Sequence, residues 1–116
     1  MTIRYKNQGF VQTNTNKTTV LTCPTDATLI VKSIYCSNND ASSAILVNIN
    51  LVDASDSNTE YEFFRDDVAA KSQVNASPQG INLEAGDAVT VQAATGSNKI
   101  QGVISYAQID RSQENG

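Results

Sequence analysis

Histidine is absent from all 116 residues, and so is tryptophan. The first absence removes the commonest general base and the commonest metal ligand together. Only two cysteines are present, Cys23 and Cys36. That is too few for a disulfide framework and, with no histidine to join them, for a zinc site. The six glycines stand singly, which leaves no glycine-rich phosphate loop. Hydroxyls are plentiful, but a serine nucleophile needs an activating base, and the only candidates are unsupported lysines such as Lys32 or Lys71. No apolar run approaches the length of a membrane span. Thr2-Ile3-Arg4-Tyr5-Lys6 is followed by polar residues rather than by the apolar stretch of a signal peptide. The expectations are no enzymatic activity, no cofactor, no bound metal and no membrane partner.

Acidic residues are missing from the first 25 positions, where Arg4, Lys6 and Lys17 give +3. The remainder carries five basic and twelve acidic residues, or −7, for a net charge of −4. An acidic body repels phosphates, and three scattered cations are too sparse to neutralise several of them, so no nucleic-acid partner is expected. A basic arm reaching an acidic protein surface fits the charge better. The length allows one domain. With 40% apolar residues, three Phe and four Tyr, its core must rest on many small contacts. Burial of strand edges or a sheet face against another subunit would supplement so light a core.

What the chain does have is period-2 alternation. It reads as strands at residues 18–23, 28–37, 44–52, 60–64, 72–76, 81–83, 88–94 and 99–109, with 9–13 a short first strand or an extended arm. In the stretch 28–37, Ile30, Lys32, Ile34 and Cys36 fall on one side, and Leu29, Val31, Ser33 and Tyr35 on the other. In the next, Ile45, Val47, Ile49 and Leu51 oppose Asn48 and Asn50. Arg65-Asp66-Asp67 reads as a charged break, and residues 68–71 as a loop too short for a helix. The expected fold is all-β: an antiparallel two-sheet sandwich of about eight strands, jelly-roll or immunoglobulin-like. Its expected parts are an N-terminal arm or first strand (1–17), the sandwich (18–110) and a polar tail (111–116). A hairpin around Pro24 to Ala27 would carry Cys36 beyond the roughly 7 Å Cα reach of a disulfide, leaving two free thiols, buried in a reducing compartment.

Two weaker patterns sit in the middle of the chain. Asp53-Ala54-Ser55-Asp56-Ser57-Asn58 with Glu60 alternates oxygen ligands in a way that suits calcium, but lacks the central glycine and spaced glutamate of a calcium-binding loop. It reads as a hydrophilic hairpin loop. In Glu60-Tyr61-Glu62-Phe63-Phe64-Arg65, one alternating set, Tyr61 and Phe63 or Glu62 and Phe64, should supply core while the other meets a partner. Carboxylates beside aromatics also suit a carbohydrate-binding face.

The order of segments resembles small accessory structural proteins of tailed bacteriophage virions. Thr18-Thr19-Val20-Leu21-Thr22-Cys23-Pro24 looks like their opening phrase, followed by strands like residues 29–38 and 45–52 around the turn Asp40-Ala41-Ser42-Ser43-Ala44. The close, Leu83 to Ala93, matches "L-x-A-G-D-x-V-x-V-x-A", and residues 104–109 resemble the final strand. The turn Cys23-Pro24-Thr25-Asp26 departs from the usual "V-P-A-G", and the loop after Phe64 does not match. The resemblance implies a non-enzymatic virion protein, assembled in the host cytoplasm. Its first form is a capsid decoration (cement) protein on the exterior of the head. Its alternatives are a tail, neck or fibre-attachment component and, from another class, a carbohydrate-binding module. The implied partners are the major capsid protein or other virion proteins and sister subunits, as a trimer. The expected interface residues are Arg4, Tyr5, Lys6 and Phe10 on the arm, with Tyr61, Phe64 and Arg65.

Overall fold

The computed structural model describes residues 2–111. Nine strands run in the order β1 (Thr2–Val11), β2 (Thr18–Thr22), β3 (Ala27–Asn38), β4 (Ile45–Asp53), β5 (Thr59–Val68), β6 (Ser72–Asn75), β7 (Ile81–Leu83), β8 (Ala88–Ala93) and β9 (Ile100–Asp110). A single 3-10 turn, Ala54–Asp56, follows β4. The first sheet has the order β1-β9-β3-β6, with β7 also on β3, and the second β2-β8-β4-β5. Every pairing is antiparallel. β6 lies along Tyr35–Asn38 and β7 along Leu29–Val31, so the two form one interrupted strand on a common edge of β3. Counted that way, eight strands cross between the sheets at every step except the β4–β5 hairpin, the jelly-roll connectivity, which decides between the two sandwich types. The sheets overlie with β1 near β2 and β5 near β6. Most of the polar tail lies outside the described residues.

Between the sheets, Leu29, Val31, Ile34 and Cys36 of β3 meet Val47 and Ile49 of β4, Val89 and Val91 of β8, and Ile104 of β9. Each fully buried aliphatic side chain stabilises the fold by about 1.5–3 kcal/mol. The inward set of β3 is not the expected alternating one. Val31 pairs with Tyr106 and Ser33 with Ser105, so Lys32 is an extra residue that moves the alternation on by one position. Leu29 and Val31 therefore point inward before the bulge, and Ile34 and Cys36 after it.

A second bulge corrects the reading of β5. Ile49 pairs with Phe64 and Asn50 with Glu62, which leaves Phe63 extra. Phe63 and Phe64 both pack against the core, while Tyr61 and Glu62 both face solvent. Neither alternating set is core. The strand also runs on through Arg65-Asp66-Asp67 to Val68 rather than breaking there, because those charges stand exposed on an edge strand and need no burial.

The turn before β8 is built on Gly86 and Asp87. Gly86 has φ +83°, a left-handed conformation that other residues adopt rarely. Asp87 is buried, and its two carboxylate oxygens accept the backbone N–H groups of Ala54 and Glu84, each at 2.9 Å. The N–H of Cys23 donates to the Asp87 carbonyl at 2.8 Å, so this corner ties three chain segments together.

Candidate interaction surface

The two outward faces of the sandwich differ in chemistry. Of the seven large apolar side chains exposed among the described residues, six lie on the outer face of the first sheet: Ile3, Tyr5, Val11, Ile30, Tyr35 and Val103. Odd-numbered residues of β1 and β9 point outward there, because Phe10, Ile104 and Tyr106 fill the opposite side. The register aligns Tyr5, Ala107 and Ile30 in one row across the sheet, and Gly9, Val103 and Tyr35 in another. Between them runs a row of small polar residues, Asn7, Ser105 and Ser33. Lys32 is the only formal charge on the outward positions of these strands, and its ammonium lies 5.5 Å from the centre of the Tyr5 ring.

The second sheet turns a polar face outward, with its charges along the edge strand β5. Asn48, Asn50 and Gln92 occupy its middle, with Glu60, Glu62 and Asp67 along β5. Lys17 donates to both Glu60 oxygens at 3.0 and 2.8 Å, which holds that carboxyl below the usual range. Arg65 pairs with Glu62 at 2.7 Å.

The residues expected at an interface fall in two places. Arg4, Tyr5, Lys6 and Phe10 are on β1, which lies along β9 over its whole length. Arg4 meets Asp110 at 3.0 Å and the Lys6 ammonium approaches Gln108 Oε1 at 3.5 Å, both beneath the strand. Tyr5 is 79% exposed, whereas Phe10 packs on the core. A Cβ on Gly102 would come within 2.2 Å of the Phe10 ring, so that ring covers the glycine. Tyr61, Phe64 and Arg65 belong to β5, at the far edge of the other sheet. Phe64 packs on the core, and the half-exposed Tyr61 donates its hydroxyl to Asp56 at 2.5 Å, which raises its pKa. The fold thus brings neither cluster to the other. Sequence reasoning missed Ile3, Val11, Ile30, Tyr35 and Val103. The available signal was a β3 apolar on both sides, as a strand covered on both faces is.

Among the described residues, a 290 Å³ depression gathers Ser55, Glu84, Asp87 and Arg111, but the Asp87 oxygens there are taken up by the backbone N–H groups of Ala54 and Glu84. The 530 Å³ depression at the end of β3 is lined by Ser37, Asn38, Asn39, Lys71, Ser72 and Gln73, with no carboxylate or thiol. Asp53 accepts from Ser55, Asp56 from Tyr61, and Glu60 from Lys17, so the acidic loop disperses its oxygens. Among the described residues no three His, Cys, Asp or Glu side chains gather in a way that suits a metal ion, and no helix is long and apolar enough to cross a membrane. Cys23 and Cys36 are both buried and unbridged. Burial pushes the Cys36 thiol up to about 12 and raises that of Cys23 as well.

No protein-family model and no curated protein matches the chain. Among solved structures, the fold is similar to a chain in the acidic stable capsid of a Helicobacter pylori bacteriophage. The TM-score is 0.60 at 15% identity, over 97% of this chain and 90% of that one. It is also similar to a chain of the disulfide-linked pili that form Bacillus endospore appendages (TM-score 0.52, 14% identity, 96% and 90% covered). A third likeness is to the Drosophila NLP core, described for pentamer formation and histone binding (TM-score 0.52, 14% identity, 91% and 98% covered). At such identities the likeness is one of fold, between chains of nearly the same length.

Proposed function

We propose that this protein is a non-enzymatic structural component of a bacteriophage virion, a decoration subunit bound to the exterior of the head. One observation carries the proposal: a jelly roll presents a nearly uncharged apolar sheet face on one side and a polar, ion-paired face on the other. Apolar side chains concentrated on one exposed face mark a site of protein association. The likeness to a phage capsid chain over almost the full length of both chains supports the setting. So does the order of sequence phrases shared with phage accessory proteins. The −7 charge of residues 26–116 favours the outside of a shell over the anionic interior beside a packaged genome. The partners are the major capsid protein or other virion proteins and sister subunits, with many weak contacts acting together.

Counting the chain in purified virions tests this. A head decoration protein is present on the order of hundreds of copies, as multivalent clamping of a shell requires. A dozen copies or fewer would place it in the tail or neck instead, and none would refute the virion assignment.

A further inference from the structure

The outer face of the first sheet is complementary to itself. Take the row Asn7, Ser105, Ser33 as a centre line. On β1, Tyr5 stands two residues to one side of it and Gly9 two to the other, each about 7 Å away at strand spacing. On β9, Ala107 and Val103 stand in the same relation, and on β3, across the Lys32 bulge, so do Ile30 and Tyr35. A half-turn about that line exchanges the members of each pair. It sets the protruding Tyr5 over the gap at Gly9, Val103 over the small Ala107, and Tyr35 over Ile30. One step further out it sets Ile3 over Val11.

We infer that two copies of this chain pack back to back through this face, about a two-fold axis along that row. The inference rests on reading the face as adhesive and is independent of the virion assignment. Isologous contact requires that residue i meet j and j meet i, which is the relation the register supplies. Two such faces would lie about 10 Å apart and within about 30° of parallel, with their side chains interdigitated. Each copy brings one formal charge to the face, Lys32 beside the axis, whose ammonium leans over the Tyr5 ring of its own chain. From their exposed fractions the six apolar side chains present roughly 600 Å², and the polar rows around them bring the face toward the roughly 800 Å² per partner of a stable interface.

Sedimentation velocity on the full chain tests this, with circular dichroism as the check on folding. The wild type is expected at twice the 12.4 kDa chain mass. Gly9→Tyr fills the gap where Tyr5 of the other copy would enter. The position is open, since an added Cβ meets only the Gly102 carbonyl oxygen at 3.9 Å. It should weaken dimerisation at least tenfold and leave the monomer folded. Tyr5→Gly combined with Gly9→Tyr moves the protrusion to the other side of the axis and should restore the dimer. Tyr35→Glu, at a half-exposed site on the central strand β3, should also give a folded monomer, and serves if Gly9→Tyr misfolds. A monomeric wild type overturns the inference. So does a mass of three or five chains, a dimer indifferent to Gly9→Tyr and Tyr35→Glu, or a double variant that stays monomeric. A mass of three would return the account to the trimer that the sequence resemblance implies. Absence of the chain from virions would leave all these outcomes unchanged.

Discussion

Replacing Asp87 by alanine removes a buried carboxylate whose two oxygens each hold a backbone N–H at 2.9 Å, one on Ala54 after β4 and one on Glu84 before β8. A hydrogen bond to a charged acceptor contributes about 1.5–3 kcal/mol, and neighbouring bonds lost together are not additive. A loss of about 3 kcal/mol is the reasonable expectation. For a chain of this size each kcal/mol moves Tm by about 3–5 °C, so Asp87→Ala should melt about 10 °C below the wild type. Asp87→Asn keeps one acceptor oxygen but turns an NH2 toward the other N–H, and should lose about half as much. Thermal melts followed by circular dichroism at pH 7 measure both. An alanine variant within about 2 °C of the wild type would refute the idea that this carboxylate fastens the corner.

Three further outcomes are expected. Gly102→Ala should destabilise the fold by about 1–3 kcal/mol in urea unfolding, since its Cβ would fall 2.3 Å from the Tyr35 carbonyl oxygen as well as into the Phe10 ring. Cys23 and Cys36 should resist iodoacetamide at pH 8 in the native protein and react fully in denaturant, as read by intact mass, because both thiols are buried and raised in pKa. Acid should weaken the fold. The carboxyls of Asp40 (held by the N–H groups of Ser42 and Ser43), Glu60 (held by Lys17) and Asp110 (held by Gln108, then Arg4) are all lowered. Their contribution is complete above the ordinary values of 3.8 and 4.5 and is lost as pH falls through the lowered ones, so urea midpoints should be flat from pH 7 to 5 and drop below pH 4.

Alternation made the architecture legible because a strand buried on one face must alternate, and β4 does so from Val47 to Leu51. The lapses came where alternation itself breaks. At Lys32 and Phe63 one extra residue shifts the pattern, and no feature of the local sequence marks which residue is extra. Arg65-Asp66-Asp67 resembled a break because charge depletes strands on average, yet an exposed edge strand tolerates it. The jelly-roll connectivity depends on pairings such as β1 with β9, distant in the chain from Thr2↔Asp110 to Val11↔Gln101, which period-2 patterns do not encode. The site was half legible. Tyr5 is legible as part of the basic N-terminal arm, but its row partners Ala107 and Ile30 come from distant segments, and only the register places them beside it. Phe10 and Phe64, both expected at an interface, serve the core instead.

The central claim is that this chain works by adhesion through the outer face of its first sheet. A cryo-EM reconstruction of virions carrying the chain tests it most directly. The expected result is a repeated jelly roll on the outer head surface, with Tyr5, Tyr35 and Val103 covered by a sister copy. A bare first-sheet face on a fully occupied head, or no such density on the particle, would contradict it.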